Sequence, residues 1–287
     1  MKNIKKGWWG FIIFSLLIVA VVTAIVIALN TEKAPVDSAH IRVPIVMYHD
    51  VKKKPVCEDD YLISTDTLKC DIEQMLKAGF HPIPISKLID YVADGQELPD
   101  KPVILTFDDG YKSIQTQVLP LLEKYKTPAS VSLIGARAEN IDDGCDDEDY
   151  LLWSDVRSVA KSKYIEIVSH SAYLHVYRAR KGVSQLPDED AAHYKMMLSD
   201  DIRALKDFTN REKITMLPVF AYPYGYVEPT AEAVFREQGF AATMTSEEHV
   251  NLISRDKECL YQLGRLNRSG KMTTAQLISW MNNGKGQ

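Results

Sequence analysis

The stretch Leu105-Thr106-Phe107-Asp108-Asp109-Gly110-Tyr111 places two adjacent carboxylates directly behind an apolar run. Neighbouring carboxylates repel, so such a pair is commonly held by a cation or shares a proton. Asp-Gly is also a common turn, and that reading stays open for this stretch alone. Three further apolar runs end on residues capable of chemistry. Residues 43–48 stop at His49. Residues 164–169 stop at His170, with His175 in the following loop. Residues 218–222 stop at Pro223-Tyr224-Gly225. In parallel α/β architectures ligands gather at the C-terminal ends of the strands. One Asp with two imidazoles is a common ligand set for a catalytic zinc that keeps a position open for water. The same donors accept Co²⁺, Ni²⁺, Mn²⁺ or Fe²⁺. His40, His81, His193 and His249 have no such company and read as structural.

Those side chains need elements to position them. Apolar residues Leu68, Ile72, Met75 and Leu76 mark one face of a helix over 65–78, ended by Gly79. A strand over 81–85, a helix over 86–92, the strand 103–107, a helix over 113–125 and a strand over 129–134 follow. Ser154-Asp155 caps the next helix, ahead of the strand 164–169. A long helix over 189–209, the strand 218–222, a helix over 229–238, strands over 241–245 and 261–266, and a helix over 273–282 complete the chain. Such alternation implies an α/β fold with a parallel sheet under helices. About seven or eight parallel strands favour a (β/α) barrel, with an open doubly wound sheet as the alternative. No Gly-x-Gly-x-x-Gly follows the first strand, which argues against a dinucleotide fold. The acidic loop 140–149 lacks the spacing of an EF-hand. The loop 176–190, with Arg178, Arg180 and Lys181, borders the pocket or is plainly solvated.

The net charge is −5 and no basic block occurs beyond the first residues, which argues against nucleic acid as a partner. Lys2, Lys5 and Lys6 precede Trp8-Trp9, and no charged residue occurs from Gly10 to Leu29. About twenty apolar residues cross a bilayer. The lysines belong on the cytoplasmic side and the tryptophans at the interface. A cleaved signal peptide is the alternative. The expected layout is therefore a cytoplasmic N-terminus over 1–7, a transmembrane signal anchor over 8–29, a linker over 30–42, and one extracytoplasmic domain over 43–287. Cys57, Cys70, Cys145 and Cys259 form no Cys-x-x-Cys pair. Of the three possible pairings, Cys57 with Cys70 is favoured; buried free thiols are the alternative.

Together these motifs resemble the polysaccharide deacetylase family, carbohydrate esterase family 4 with the NodB-homology domain. Thr106-Phe107-Asp108-Asp109-Gly110 resembles its first motif and His170-Ser171-Ala172-Tyr173-Leu174-His175 its second. Tyr222-Pro223-Tyr224-Gly225 resembles part of its third. The resemblance covers residues 43–282. It implies a distorted (β/α) barrel and metal-dependent removal of acetyl groups from N-acetylated sugars. Asp109, His170 and His175 would hold the metal, usually Zn²⁺, and Asp108 would be the general base. The backbone N–H near Tyr224 would help bind the oxyanion. Tyr224, Tyr222, Pro223, Tyr111 and Arg265 are read from their types and places as candidates for substrate contact. Tyr173 and Trp153 are further candidates for stacking on sugar.

The chain departs from the family pattern where an arginine usually precedes the third motif: Ala221 stands there, and Arg265 is the candidate substitute. The family's Asp-Trp motif is not evident, and its late Leu-x-His, the source of the general acid, is missing. Met47-Tyr48-His49 resembles the permuted branch that includes extracellular poly-N-acetylglucosamine deacetylases, where an N-terminal strand delivers that acid. His49 then fills the role. The implied substrate is peptidoglycan or poly-N-acetylglucosamine. A metal-free carbohydrate-binding module of the same fold and an O-acetyl esterase are the rival readings.

Overall fold

The computed structural model describes residues 40–140 and 150–287. The expected membrane anchor over 8–29 lies outside these residues. Among the described residues no helix is long and apolar enough to cross a membrane.

The strands, in chain order, are β1 (Ile41–Val43), β2 (Ile45–Tyr48), β3 (Asp50–Lys52), β4 (Leu62–Ser64), β5 (His81–Pro82), β6 (Pro102–Phe107), β7 (Ala129–Leu133), β8 (Ile165–Ser169), β9 (Met216–Ala221), β10 (Ala242–Met244), β11 (Asn251–Ile253) and β12 (Leu266–Asn267). The helices are α1 (Thr65–Lys77), α2 (Ile85–Asp94), α3 (Leu119–Tyr125), α4 (Gly135–Ala138), α5 (Trp153–Val159), α6 (Ala191–Glu212), α7 (Pro229–Glu237) and α8 (Thr274–Asn283). The central sheet is parallel in the order β10-β9-β8-β7-β6-β2-β12, with β5 also paired to β6. One segment joins its two ends. Leu263 bridges to Met244 of β10, and β12, just beyond it, pairs with β2. The sheet is thus curled towards a barrel, as the strand–helix alternation predicts.

Side chains alternate across the sheet with period two. Val46, Leu105, Val131 and Ile167 enter one apolar cluster with Leu68 and Ile72 of α1, Leu122 of α3 and Leu205 of α6. Their neighbours Ile45, Ile104 and Val168 enter a second with Leu88 and Tyr91 of α2. Strands buried on both faces read as continuous apolar runs, which is why they were visible in the sequence.

Three elements differ from the sequence reading for local reasons. The helix expected over 113–125 begins as a π-helical turn, Ile114–Val118, before α3. Pro120 cannot donate the regular i→i−4 bond there. The strand expected over 81–85 is only His81–Pro82, and Pro84 caps α2. The strand expected over 261–266 reduces to the Leu263 bridge and β12. The domain starts earlier than residue 43, because β1 pairs antiparallel with β11. The favoured disulfide is absent: Cys57 and Cys70 are both free and exposed. Cys70 lies on the solvent side of α1, whose inner face is Leu68, Ile72 and Met75.

Candidate active site

Register aligns the strand ends. Tyr48 of β2 lies opposite Phe107 of β6, and Leu133 of β7 opposite Ser169 of β8. His49, Asp108 and His170 therefore leave the sheet at one rim. β9 reaches that rim through an irregularity: Met216 lies opposite Ile167, yet Phe220 lies opposite Ser169. Pro218 sits in this interval and has no N–H for the ladder. The extra residues carry the Ala221 carbonyl to 2.8 Å from His170 Nδ1. A carbonyl only accepts, so Nδ1 carries the proton and Nε2 keeps its lone pair.

That lone pair faces Asp109. His170 Nε2 is 3.5 Å and His175 Nε2 is 3.1 Å from Asp109 Oδ1. Ligand atoms of the three residues lie within 4.8 Å of one another. Asp109 Oδ1 is buried and accepts no hydrogen bond of acceptable geometry. Such an oxygen between two imidazole nitrogens fits a divalent cation, with the donor set of a catalytic zinc site. His175 Nδ1 faces the Tyr224 hydroxyl at 3.2 Å, a contact that orients the ring. Backbone strain clusters here: Asp109, Ser171 and Tyr224 have φ of 71°, 74° and 59°. Each such conformation costs about 1–3 kcal/mol and persists where surrounding structure enforces it.

Asp108 stands beside this cluster, with Oδ2 3.9 Å from His170 Nε2. Arg265 Nη1 donates to Asp108 Oδ1 at 2.8 Å and to Thr106 Oγ1 at 3.3 Å, while its Nε donates to the Thr245 carbonyl at 2.8 Å. The arginine is 1% exposed. Burial alone would raise the Asp108 carboxyl, but Arg265, and after it His170, outweigh burial and hold the group at about 2. Asp109 is held far below the usual carboxylate range, against burial, by His175 first. Burial pushes His170 down to about 4 and lowers His49. His49 Nδ1 is shut off from solvent without a hydrogen-bond partner, and its ring meets Tyr61 edge-on at 4.8 Å.

These groups open into a cavity of about 570 Å³, which Tyr111, Tyr222, Tyr224, Gly225, Ser246 and Asn267 help to line. The predicted residues Asp108, Asp109, His170, His175, His49, Tyr111, Tyr224 and Arg265 thus converge. Tyr222 also touches the cavity, but its ring is fully buried against Phe220 and Phe235. Pro223 is buried and does not line it. Trp153 packs in the core near Phe208, and exposed Tyr173 lies edge-on to the same ring. Neither Trp153 nor Tyr173 reaches the cavity. Sequence reasoning missed Asp50, Asp59 and Tyr61, which also line it. They lie in or beside the short pair β3–β4, which carries no long apolar run. Asp50 directly follows His49, and that adjacency was the available signal.

The chain belongs to the polysaccharide deacetylase family, whose model matches residues 95–243. A curated relative, the poly-beta-1,6-N-acetyl-D-glucosamine N-deacetylase of Escherichia coli, is 27% identical over 225 residues. That match covers 70% of this chain and 33% of the relative, so the chain spans about a third of that protein's length. Among solved structures, IcaB from Ammonifex degensii is 23% identical with a TM-score of 0.70, covering 84% of this chain and 97% of that one. A de-N-acetylase from Aggregatibacter actinomycetemcomitans is 22% identical with a TM-score of 0.71, covering 84% and 100%. The BpsB deacetylase domain from Bordetella bronchiseptica is 25% identical with a TM-score of 0.62, covering 81% and 97%. The curated relative is by name a polysaccharide N-deacetylase, which is a hydrolase.

Proposed function

We propose that this chain is a metal-dependent N-deacetylase that hydrolyses the acetamido groups of an N-acetylglucosamine polymer and releases acetate. The observation that carries this reading is the Asp109–His170–His175 cluster beside the Asp108–Arg265 pair at one rim. A divalent ion held by Asp109, His170 and His175, most simply Zn²⁺, supplies Lewis acidity towards the acetyl carbonyl and a more acidic water.

The residues divide the proton work. Asp108 is ionised and fixed by Arg265, so it takes a proton from the attacking water. The water oxygen bonds to the acetyl carbon, the C–N bond breaks, and the sugar nitrogen needs a proton. His49 supplies it from a separate strand end. Burial lowers the His49 pKa, while the Asp109 and Asp108 carboxylates work against burial and favour the protonated ring this step needs. Arg265 takes up the part of the arginine that Ala221 replaces, which weighs against the metal-free binding module.

A polymeric substrate is supported by the aromatic surface beyond the metal ligands. Tyr224 lies 4.5 Å from the His175 ring, Tyr177 5.2 Å from Tyr224, and Tyr226 6.4 Å from Tyr177. Lys181 sits over Tyr177 at 5.0 Å and Tyr226 at 5.5 Å. Exposed rings of this kind present faces to successive sugars. The E. coli relative is named for poly-beta-1,6-N-acetyl-D-glucosamine, and we take that polymer as the first substrate to test. The apolar segment 8–29 would anchor the domain outside the cytoplasmic membrane.

The test is acetate release from β-1,6-linked N-acetylglucosamine oligomers by the zinc-loaded protein, with Asp109→Ala as control. Acetate from the parent and none from the variant supports the reading. Acetate from peptidoglycan alone would change the polymer, and acetate from acetylated xylan alone would make the chain an O-acetyl esterase. No acetate and no bound metal would leave the binding module.

A further inference from the structure

The segment Ser171–Leu174 between the two histidine ligands is held from both sides. On one side its carbonyls accept hydrogen bonds from the start of α4: Gly135 N–H donates to Ser171 O at 3.0 Å and Ala136 N–H to Ala172 O at 2.8 Å. Glycine suits that close approach, since a Cβ at Gly135 would lie a tight 3.1 Å from the Ala172 Cα and from Leu205 Cδ1. On the other side its amides point at one carboxylate. Ala172 N–H donates to Asp201 Oδ2 at 2.9 Å and Tyr173 N–H to Asp201 Oδ1 at 2.7 Å. Asp201 is 6% exposed, and Ala172 is fully buried. Asp201 lies on the inner face of α6 with Leu198, Ile202 and Leu205. A buried carboxylate on a helix face built of apolar residues is costly unless it makes such bonds. Charge-assisted bonds of this kind are stronger than neutral ones.

We propose that Asp201 is a positioning residue for the metal centre. It fixes the peptide between His170 and His175, and so fixes the spacing and direction of the two imidazoles. It touches neither ligand ring nor substrate. Its effect passes through the backbone of Ala172 and Tyr173, including the positive φ at Ser171. Without the carboxylate, two amide N–H groups lose their acceptors and the strained turn loses one wall. Outer partners of metal ligands typically change metal affinity by about 10–100-fold.

The proposal rests on His170 and His175 being metal ligands. The experiment measures zinc affinity by chelator competition in the full chain, for the parent, Asp201→Asn, Asp201→Ala and Leu198→Ala, with Asp109→Ala as control. Melting temperature of the metal-free form is read in parallel. Asp201→Asn keeps one acceptor and the shape, so it should fold and bind zinc several-fold more weakly; Asp201→Ala should be weaker by about 10–100-fold. Leu198→Ala truncates a buried side chain of the same helix, and should lower melting temperature while leaving zinc affinity unchanged. Should Asp201→Ala fail to fold, the comparison of Asp201→Asn with Leu198→Ala decides. Zinc affinity of Asp201→Asn within twofold of the parent, or a loss equal to that of Leu198→Ala, overturns the proposal. Parental zinc binding by Asp109→Ala would instead overturn the ligand assignment beneath it.

Discussion

Replacing Arg265 by methionine tests the catalytic geometry most directly. The Arg265 and Asp108 side chains are 1% and 3% exposed and 2.8 Å apart. At that separation, an effective dielectric of about 20 gives roughly 6 kcal/mol of attraction. Removing one partner of a buried pair costs about 3–5 kcal/mol, because the other charge stays buried and unmatched. For a domain of this size that is a fall of roughly 6–20 °C in melting temperature. The Asp108 carboxyl, now at about 2, should rise, and with it the acid limb of the kcat/KM profile. A general base contributes about 10²–10⁴ to rate, so a base that loses its fixed orientation should cost about 10² or more in kcat. The double variant Asp108→Asn with Arg265→Met removes both charges and should be more stable than Arg265→Met alone. The assays are melting of metal-free protein and acetate release across pH. Stability within about 0.5 kcal/mol of the parent, the range of an ordinary surface change, would refute the reasoning. An unmoved acid limb would do the same.

Four further outcomes follow from the same geometry. Asp108→Asn should retain stoichiometric zinc yet lose about 10² or more in kcat, whereas Asp109→Ala should lose the metal itself; equal zinc content in both would remove the division of roles. Tyr177→Ala should raise KM for long oligomers and leave short ones nearly unchanged, which a chain-length series measures. Gly225→Ala should be strongly destabilising by thermal melting, because φ is 71° and the added Cβ would fall 1.8 Å from Ser246 Oγ. In metal-free protein His170 sits at about 4 against an ordinary 6.5, and Asp108 at about 2 against 3.8. Over each interval the unfolded chain binds a proton that the fold does not, so His170 and Asp108 make stability fall as pH drops from 6.5 towards 4 and again below 3.8, while Asp201, raised to about 6 by burial, offsets part of the first fall. Urea midpoints after chelation should fall less over the first interval in His170→Asn than in the parent, with the His49 share remaining.

What the sequence disclosed follows from how each residue is delivered. Asp108, Asp109, His170 and His49 sit directly behind strands buried on both faces, so an apolar run followed by a polar residue revealed them. Tyr222 ends such a run as well and touches the cavity, though its ring packs against Phe235 of α7. Trp153 and Tyr173 showed the right chemistry without the right direction, since helix and loop periodicity does not say which wall a ring meets. Asp201 left no local mark. Asp201 follows Asp200 on an amphipathic helix, where charged residues read as solvated, and only tertiary packing turns Asp201 towards the His170–His175 turn.

Arg265 shows how closure of the sheet completes the site. It is distant in sequence from Asp108, and no spacing rule links them. The link is topological. β12 pairs with β2, β2 pairs with β6, and Leu263 reaches across to β10. Asn251 secures this crossing, accepting the Gly264 N–H at 2.8 Å and donating to the Gly264 carbonyl at 3.0 Å and the Val43 carbonyl at 3.1 Å. Arg265 therefore lies where the two ends of the curled sheet meet, pointing at the rim that Thr106 and Asp108 leave. In the family pattern an arginine just before the third motif has this task. Here Ala221 occupies that position and uses its carbonyl to orient His170 instead. The guanidinium that meets Asp108 comes from Arg265, in the segment just ahead of β12. A barrel allows this because its strand ends open onto one rim, so groups distant in sequence can meet there.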